Sequence, residues 1–236
     1  MDHDELVRRF AALTTAHVAD GCVRASVAVR CGPAGLRPVS AGDRLVGRVL
    51  PARHAGSVDV FLEAFESAEP GDVLVADNAG RLDEACVGDL VVADARAAGV
   101  SGVLIWGLHR DTADVQAIGL PVFSLGAVPT GPLRLDPRAD DALEAATVGE
   151  WTVGRDDLVF ADDDGALFVP ADRAADVLDL AETIRDTEHR QAERIRTGEA
   201  TLREQVRFTE FLQRRKDNPS LTLREHLRDV GGAIEV

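Results

Sequence analysis

The chain has 236 residues, 45% of them hydrophobic and 28% charged, enough for one large or two small domains with a proper core. No run approaches the roughly 20 apolar residues that a membrane span requires. Forty-one Asp plus Glu against 26 Lys plus Arg give a net charge of −15, which disfavours nucleic acid as the main partner despite a local basic run in Arg185–Arg196. The acidic start, Met1-Asp-His-Asp-Glu, is the opposite of a signal peptide's basic one, so a cytoplasmic protein is expected. Cys22, Cys31 and Cys86 lack Cys-x-x-Cys spacing and are odd in number, which argues against structural zinc or a disulfide framework.

Residues 4–12 space their apolar positions as a short amphipathic helix does. Thr14-Thr15 then caps a second helix, His17 to Cys22, which Asp20-Gly21 is expected to end. Residues 30–43 are rich in Gly and Pro and read as loop, and Asp43–Leu50 alternates as a strand does. Ser57–Ser67 returns to helical spacing. Pro70-Gly71-Asp72 turns into the continuously apolar strand Val73–Ala76, followed by a loop from Asp77 to Val87. Leu90–Ala98 is predicted helical and stops at Gly99; Val103–Trp106 and Pro121–Ser124 are further buried strands.

Strand, helix, strand in this order implies parallel pairing with right-handed crossovers, and continuous apolar runs imply a sheet covered on both faces. Strand signals at Trp151–Val153, Leu158–Phe160 and Leu167–Val169 suggest antiparallel additions to the same sheet. Beyond Pro170 a long helix is predicted over Asp172–Thr197 and a second over Thr201–Lys216, with Pro219 opening a short polar tail that ends Ala233-Ile-Glu-Val. The expected organisation is an α/β body over residues 1–170 and a helical C-terminal extension over 171–236.

Ligands of α/β sheets bind beyond the carboxyl ends of the strands. Two such ends carry functional groups: Asp77-Asn78 leading to Gly88-Asp89-Leu90-Val91-Val92 at a helix start, and Gly107-Leu-His109-Arg110-Asp111 after Trp106. Adjacent parallel strands bring the two together at one rim. A helix start offers free N–H groups and partial positive charge, so the amides of Leu90, Val91 and Val92 can hold a carboxylate; alternatively Asp89 only caps the helix, with Gly88 making the turn. Arg110 can donate to a keto oxygen and to the enolate that develops from it. Asp111 is a hard oxygen ligand, suited to magnesium or manganese rather than zinc; Asp114, one turn on, either holds metal-bound water or is simply exposed to solvent. The alternative for Arg110-Asp111 is a local salt bridge. His109 reads as a supporting histidine. His54, Asn78, Arg81 and His109 are candidates for a distal pocket, and Glu188 and His189 for reaching a neighbouring subunit's site. Lys216 is the single lysine, which argues against Schiff-base chemistry.

Gly71-Asp-Val-Leu-Val, Gly88-Asp-Leu, Gly99-Val-Ser-Gly-Val, His109-Arg-Asp and Pro121-Val-Phe-Ser together resemble the RraA-like superfamily over residues 10–170. That group holds the regulator of ribonuclease E activity and the 4-hydroxy-4-methyl-2-oxoglutarate / 4-carboxy-4-hydroxy-2-oxoadipate aldolases. Its most specific feature is an aspartate separated by twenty residues from an Arg-Asp pair, matched by Asp89 and Arg110-Asp111, with Asp114 as the further acidic residue of the aldolase branch. The resemblance implies an α/β/α swivelling-domain fold, assembled as a homotrimer or a dimer of trimers (a homohexamer) with sites at subunit boundaries. It further implies a class II aldolase or oxaloacetate decarboxylase that releases pyruvate from a small 2-keto acid. In that reading Asp111 ligates Mg2+ (or Mn2+), Arg110 contacts the keto oxygen and Asp89 is the acid–base residue. The other branch implies a metal-independent protein that docks on an RNA-processing enzyme. No S-adenosylmethionine glycine motif is present, so methyl transfer is not expected.

Overall fold

The structure is a computed structural model, and residues 1–231 are described. The chain divides into two compact units, Met1–Ala181 and a second beginning at Glu182. Helix α1 (His3–Phe10) is capped by Asp2, whose side chain accepts from the Glu5 amide, and buries Leu6 and Phe10. Helix α2 (Thr15–Arg24) opens on a capping box in which the Thr14 hydroxyl accepts from the His17 amide and the His17 ring accepts from the Thr14 amide. It does not end at Asp20-Gly21 as the sequence suggests. A Cβ at Gly21 would lie 2.5 Å from the Val177 carbonyl, so this glycine is retained mid-helix for close packing rather than as a stop.

The stretch expected as loop holds two short strands, β1 (Arg30–Cys31) and β2 (Arg37–Pro38). Strand β3 (Leu45–Arg53) and helix α3 (Asp59–Glu66) follow, then β4 (Val73–Asp77), β5 (Ala85–Val87) and helix α4 (Asp89–Ala97). Gly99, at φ +81, takes the left-handed turn that stops α4. Next come β6 (Gly102–Trp106), β7 (Leu108–His109), helix α5 (Thr112–Ile118) and β8 (Val122–Ser124). The strands β9 (Ala145–Val148), β10 (Trp151–Gly154), β11 (Asp157–Asp162) and β12 (Gly165–Pro170) complete the β structure. A short 3-10 turn, Ala171–Arg173, then leads into helix α6 (Ala174–Arg196).

The main sheet runs β1-β12-β11-β3-β4-β6-β8-β2. Its centre, β3-β4-β6-β8, is parallel, with Leu74 opposite Leu50 and Val103, while β11, β12, β1 and β2 are antiparallel additions. Trp151–Val153 departs from expectation: β10 pairs with β9 in a separate hairpin. The sheet curls, bringing edge strand β2 close to the β11–β12 turn, where Arg37 donates to the Asp164 carbonyl.

Strand periodicity sorts the core into two faces. Val46, Leu50 and Ala52 on β3 and Leu74 and Ala76 on β4 point to one face, covered by α3 and α4 beside α1, α2 and the start of α6. Leu45, Val49, Val73, Val75 and Val159 point to the other, covered by Val148 and Val153 of the β9–β10 hairpin. Burying each valine or leucine among them contributes roughly 1.5–3 kcal/mol. This is why β4 and β6 read as unbroken apolar runs.

In the second unit the helix expected over Thr201–Lys216 is two: α7 (Leu202–Gln205) and α8 (Phe208–Asp217), broken at Arg207 with φ +49. The segment after Pro219 is not a polar tail but helix α9 (Leu223–Val230), opened by a Thr222/Glu225 capping box and burying His226 and Leu227. The final Ala233–Val236 lies outside the described residues. Among the described residues no helix is long and apolar enough to cross a membrane.

Candidate active site

Short strands β5 and β7 pair in parallel, Ala85 opposite Leu108 and Val87 opposite His109, and the Arg110 amide donates to the Val87 carbonyl at 3.0 Å. This pairing brings Gly88-Asp89 and Arg110-Asp111 side by side. Gly88 caps α4 in extended conformation, φ −132 and ψ −171, with no side-chain cap bond. Asp89 is therefore the first helical residue, not the cap, and its carboxylate is left for other work. The Val92 amide already donates to the Gly88 carbonyl at 3.2 Å. This corrects the expectation that Val92 helps grip a ligand: the open first-turn donors are the amides of Asp89, Leu90 and Val91.

Asp111 sits at φ 59, ψ 40, a left-handed conformation that aspartate tolerates better than most residues. It stands at the N-cap of α5 without making a side-chain cap bond. Its Oδ2 is 3.3 Å from Arg110 Nε, and both side chains are partly exposed. A Cβ at Gly88 would lie 2.5 Å from Asp111 Oδ2 and 3.2 Å from Arg110 Nε, so any larger residue there must shift the Asp111 carboxylate from this position. Asp114, in the first turn of α5, is exposed, and its amide donates to the Asp111 carbonyl.

Beside Arg110 and the start of α4 opens a cleft of about 250 Å³, lined by β5, Gly88 to Val91, Arg110, Val58 and Pro132; Asp111 and Asp114 do not line it. Its size suits a small acid rather than a cofactor. Cys86 lines it too, but burial raises its thiol far above the ordinary range, so it offers no thiolate nucleophile. All three cysteines are free.

His109 is a strut. It is buried, its Nδ1 is 2.7 Å from Ser124 Oγ and its Nε2 3.0 Å from Thr112 Oγ1, and burial lowers its pKa. The distal-pocket candidates do not line the cleft. His54 and Asn78 are buried behind it, Nδ1 to Oδ1 at 3.0 Å, and Arg81 pairs with Asp83 and Glu84. Glu188 and His189 lie on α6 in the second unit. Sequence reasoning missed Val58, which the 57–67 helical spacing gives no reason to place at a ligand site, and Gly131, Pro132 and Arg134, which lie in a stretch, 125–144, without periodicity.

For a divalent cation, the donor chemistry is hard oxygen. Among the described residues no group of three or more His, Cys, Asp or Glu converges. Zinc, which takes three or four protein ligands, does not fit; magnesium, which keeps several waters and takes one or two carboxylates, fits Asp111.

The family model described as RraA-like, Aldolase/RraA, matches residues 15–168. Protein DlpA of Legionella pneumophila is 28% identical over 171 residues, covering 69% of this chain but only 27% of its own length. A protein of Halalkalibacterium halodurans, named "Putative 4-hydroxy-4-methyl-2-oxoglutarate aldolase", is 28% identical over 150 residues, covering 62% of this chain and 69% of that one. Among solved structures, Streptomyces coelicolor RraAS2, an unusual member of the RNase ES inhibitor RraA protein family, aligns with a TM-score of 0.68 at 28% identity. That alignment covers 78% of this chain and 94% of RraAS2. With the parallel centre of the sheet, the cleft and both site-bearing segments inside the matched region, the chain belongs to the RraA-like (Aldolase/RraA) family.

Proposed function

We propose that the protein is a divalent-metal-dependent carbon–carbon lyase that cleaves a small 2-keto acid to pyruvate, as a 4-hydroxy-4-methyl-2-oxoglutarate aldolase, an oxaloacetate decarboxylase or both. The observation that carries the reading is the close fit of Asp111 and Arg110 over Gly88, beside the open amides of α4. A docking protein has no need of a carboxylate and a guanidinium held together above a helix N-terminus.

The substrate carboxylate docks on the amides of Asp89, Leu90 and Val91, where free N–H groups and the helix dipole favour an anion. Arg110 donates to the keto oxygen and holds the negative charge that grows there as the bond beyond the adjacent carbon breaks. The carboxylate of Asp89, directly or through a water, takes the proton of the substrate's hydroxyl, which becomes the carbonyl of the leaving fragment. The electron pair of the broken bond becomes the enolate of pyruvate, which is then protonated on carbon. With oxaloacetate the leaving group is carbon dioxide and no hydroxyl proton moves. Asp111 would hold magnesium or manganese, with Asp114 placed to steady a water beside it, and the ion would supply Lewis acidity at the keto group. Val58, Leu90 and Leu133 are exposed near the cleft, and covering them is the reason to propose a homotrimer or homohexamer.

Pyruvate release from the two substrates, with magnesium or manganese and then with excess EDTA, tests the reading. Metal-dependent release on either supports it; metal-independent release on both contradicts it. The similarity to RraAS2 favours one second reading, inhibition of a ribonuclease by docking. In that case neither substrate turns over and the protein slows RNA cleavage equally well with EDTA present.

A further inference from the structure

We propose that Glu84 and Arg134 form a positioning pair that fixes Arg110 through Gly131; the proposal rests on the lyase reading and assigns a further part of its site. Arg110 runs between two residues without side chains. A Cβ at Gly88 would lie 3.2 Å from its Nε, and a Cβ at Gly131 would lie 3.0 Å from its Nη1. One wall, Gly88, is fixed by α4. The other belongs to the irregular segment 130–136, which must itself be held.

Its ends are pinned through the backbone: the Ala85 amide donates to the Thr130 carbonyl at 2.9 Å, and the Asp136 amide to the Ala55 carbonyl at 2.8 Å. Between them, apolar packing does little, because Leu133 is 97% and Leu135 78% exposed. Between the two leucines, Arg134 turns inward. Its Nε donates to Glu84 Oε1 at 3.0 Å and its Nη2 to Asn78 Oδ1 at 2.9 Å, while Nη1 meets Asp136. Glu84 and Asn78 are buried, and Asn78 Oδ1 also accepts from His54 Nδ1, whose ring stacks on Phe61. The anchor is therefore set in the core. A guanidinium forked between a buried carboxylate and a buried amide keeps one geometry, which a loop held by solvent-facing leucines lacks.

Glu84 also immediately precedes Ala85, whose amide donates to the Thr130 carbonyl, so one short stretch holds both the anchor and the hinge of the wall. Pro132, between Gly131 and Arg134, lines the cleft. Loosening the pair thus moves the wall and frees the Arg110 guanidinium without removing any group the mechanism uses.

The test uses the full chain and the variants Glu84→Gln, Arg134→Gln, Arg134→Lys and Gly131→Ala, each first shown to unfold cooperatively near the wild-type temperature. Glu84→Gln, Arg134→Gln and Gly131→Ala are expected to lower kcat by about 10- to 100-fold with little change in KM, as small displacements of a catalytic group do. Arg134→Lys is expected to recover part of the loss. In an Arg110→Ala background Glu84→Gln is expected to add nothing, because its effect passes through Arg110. An equal further loss in that background overturns the proposal. A readout without turnover is the rate at which phenylglyoxal modifies Arg110, followed by peptide mass spectrometry. It is expected to rise several-fold in Glu84→Gln and Arg134→Gln, and an unchanged rate overturns the proposal. If the wild type releases no pyruvate, the lyase reading fails, and the modification rate still decides whether the pair sets Arg110.

Discussion

Asp111 Oδ2 occupies the place where Gly88 would carry a side chain: an ideal Cβ there lies 2.5 Å from it. The backbone at Gly88 is extended, a conformation open to any residue, so the need for glycine comes from the neighbour and not from φ.

Gly88→Ala separates those two causes. At a helix cap, alanine in place of glycine costs about 1 kcal/mol or less, so the unfolding temperature should shift only a few degrees. The methyl group must displace Asp111 or Arg110, and kcat/KM for pyruvate release should fall at least about 100-fold. Near-wild-type turnover would show that the close packing has no part in the chemistry.

Gly21→Ala tests the packing beneath the sheet. In an exposed helix this change stabilises by up to about 1 kcal/mol. Here the added Cβ meets the Val177 carbonyl at 2.5 Å and Ala181 Cβ at 3.2 Å, so a loss of about 1–3 kcal/mol is expected. Urea unfolding decides the sign, and a gain in stability would contradict the close α2–α6 approach.

Two buried histidines give the stability a pH dependence with a definite sign. Burial lowers both His54 and His109 below their ordinary 6.5, with Arg134 adding to the effect on His54. The unfolded chain then takes up protons near pH 6.5 while the folded chain does not, so the unfolded state binds more protons and stability falls as pH drops below that point. The fall should level off once the folded histidines protonate. Comparing urea midpoints at neutral and mildly acid pH for wild type, His54→Gln and His109→Gln checks this. Each variant should show a shallower dependence, and three identical slopes would assign the effect to other groups.

The strands were legible where burial leaves an unbroken mark. Val73–Ala76 and Val103–Trp106 are apolar throughout because both faces of the sheet are covered, and Gly99 announces the end of α4 through its φ. That the Gly88 and Arg110 segments meet was legible from parallel strands ending at one rim, whereas the β5–β7 pairing that joins them was not, because β5 lies in a stretch that reads as loop. Gly21 misled because a glycine kept for contact looks like one kept for conformation. Arg207 was invisible because its left-handed φ breaks a helix without glycine or proline, whereas the Thr222/Glu225 capping box of α9 was readable and lay hidden behind Pro219. The wall of the cleft, Gly131 to Arg134, was out of reach: its role depends on contacts with Arg110, Glu84 and Asn78, all distant in sequence.

The most direct test of the central claim is kcat/KM for metal-supported pyruvate release by wild type and Arg110→Ala, with oxaloacetate and 4-hydroxy-4-methyl-2-oxoglutarate as substrates. Removing the group proposed to hold the developing enolate should cost about 100- to 1,000-fold on whichever substrate is turned over, while the variant unfolds at the wild-type temperature. Turnover that survives in Arg110→Ala would contradict the account.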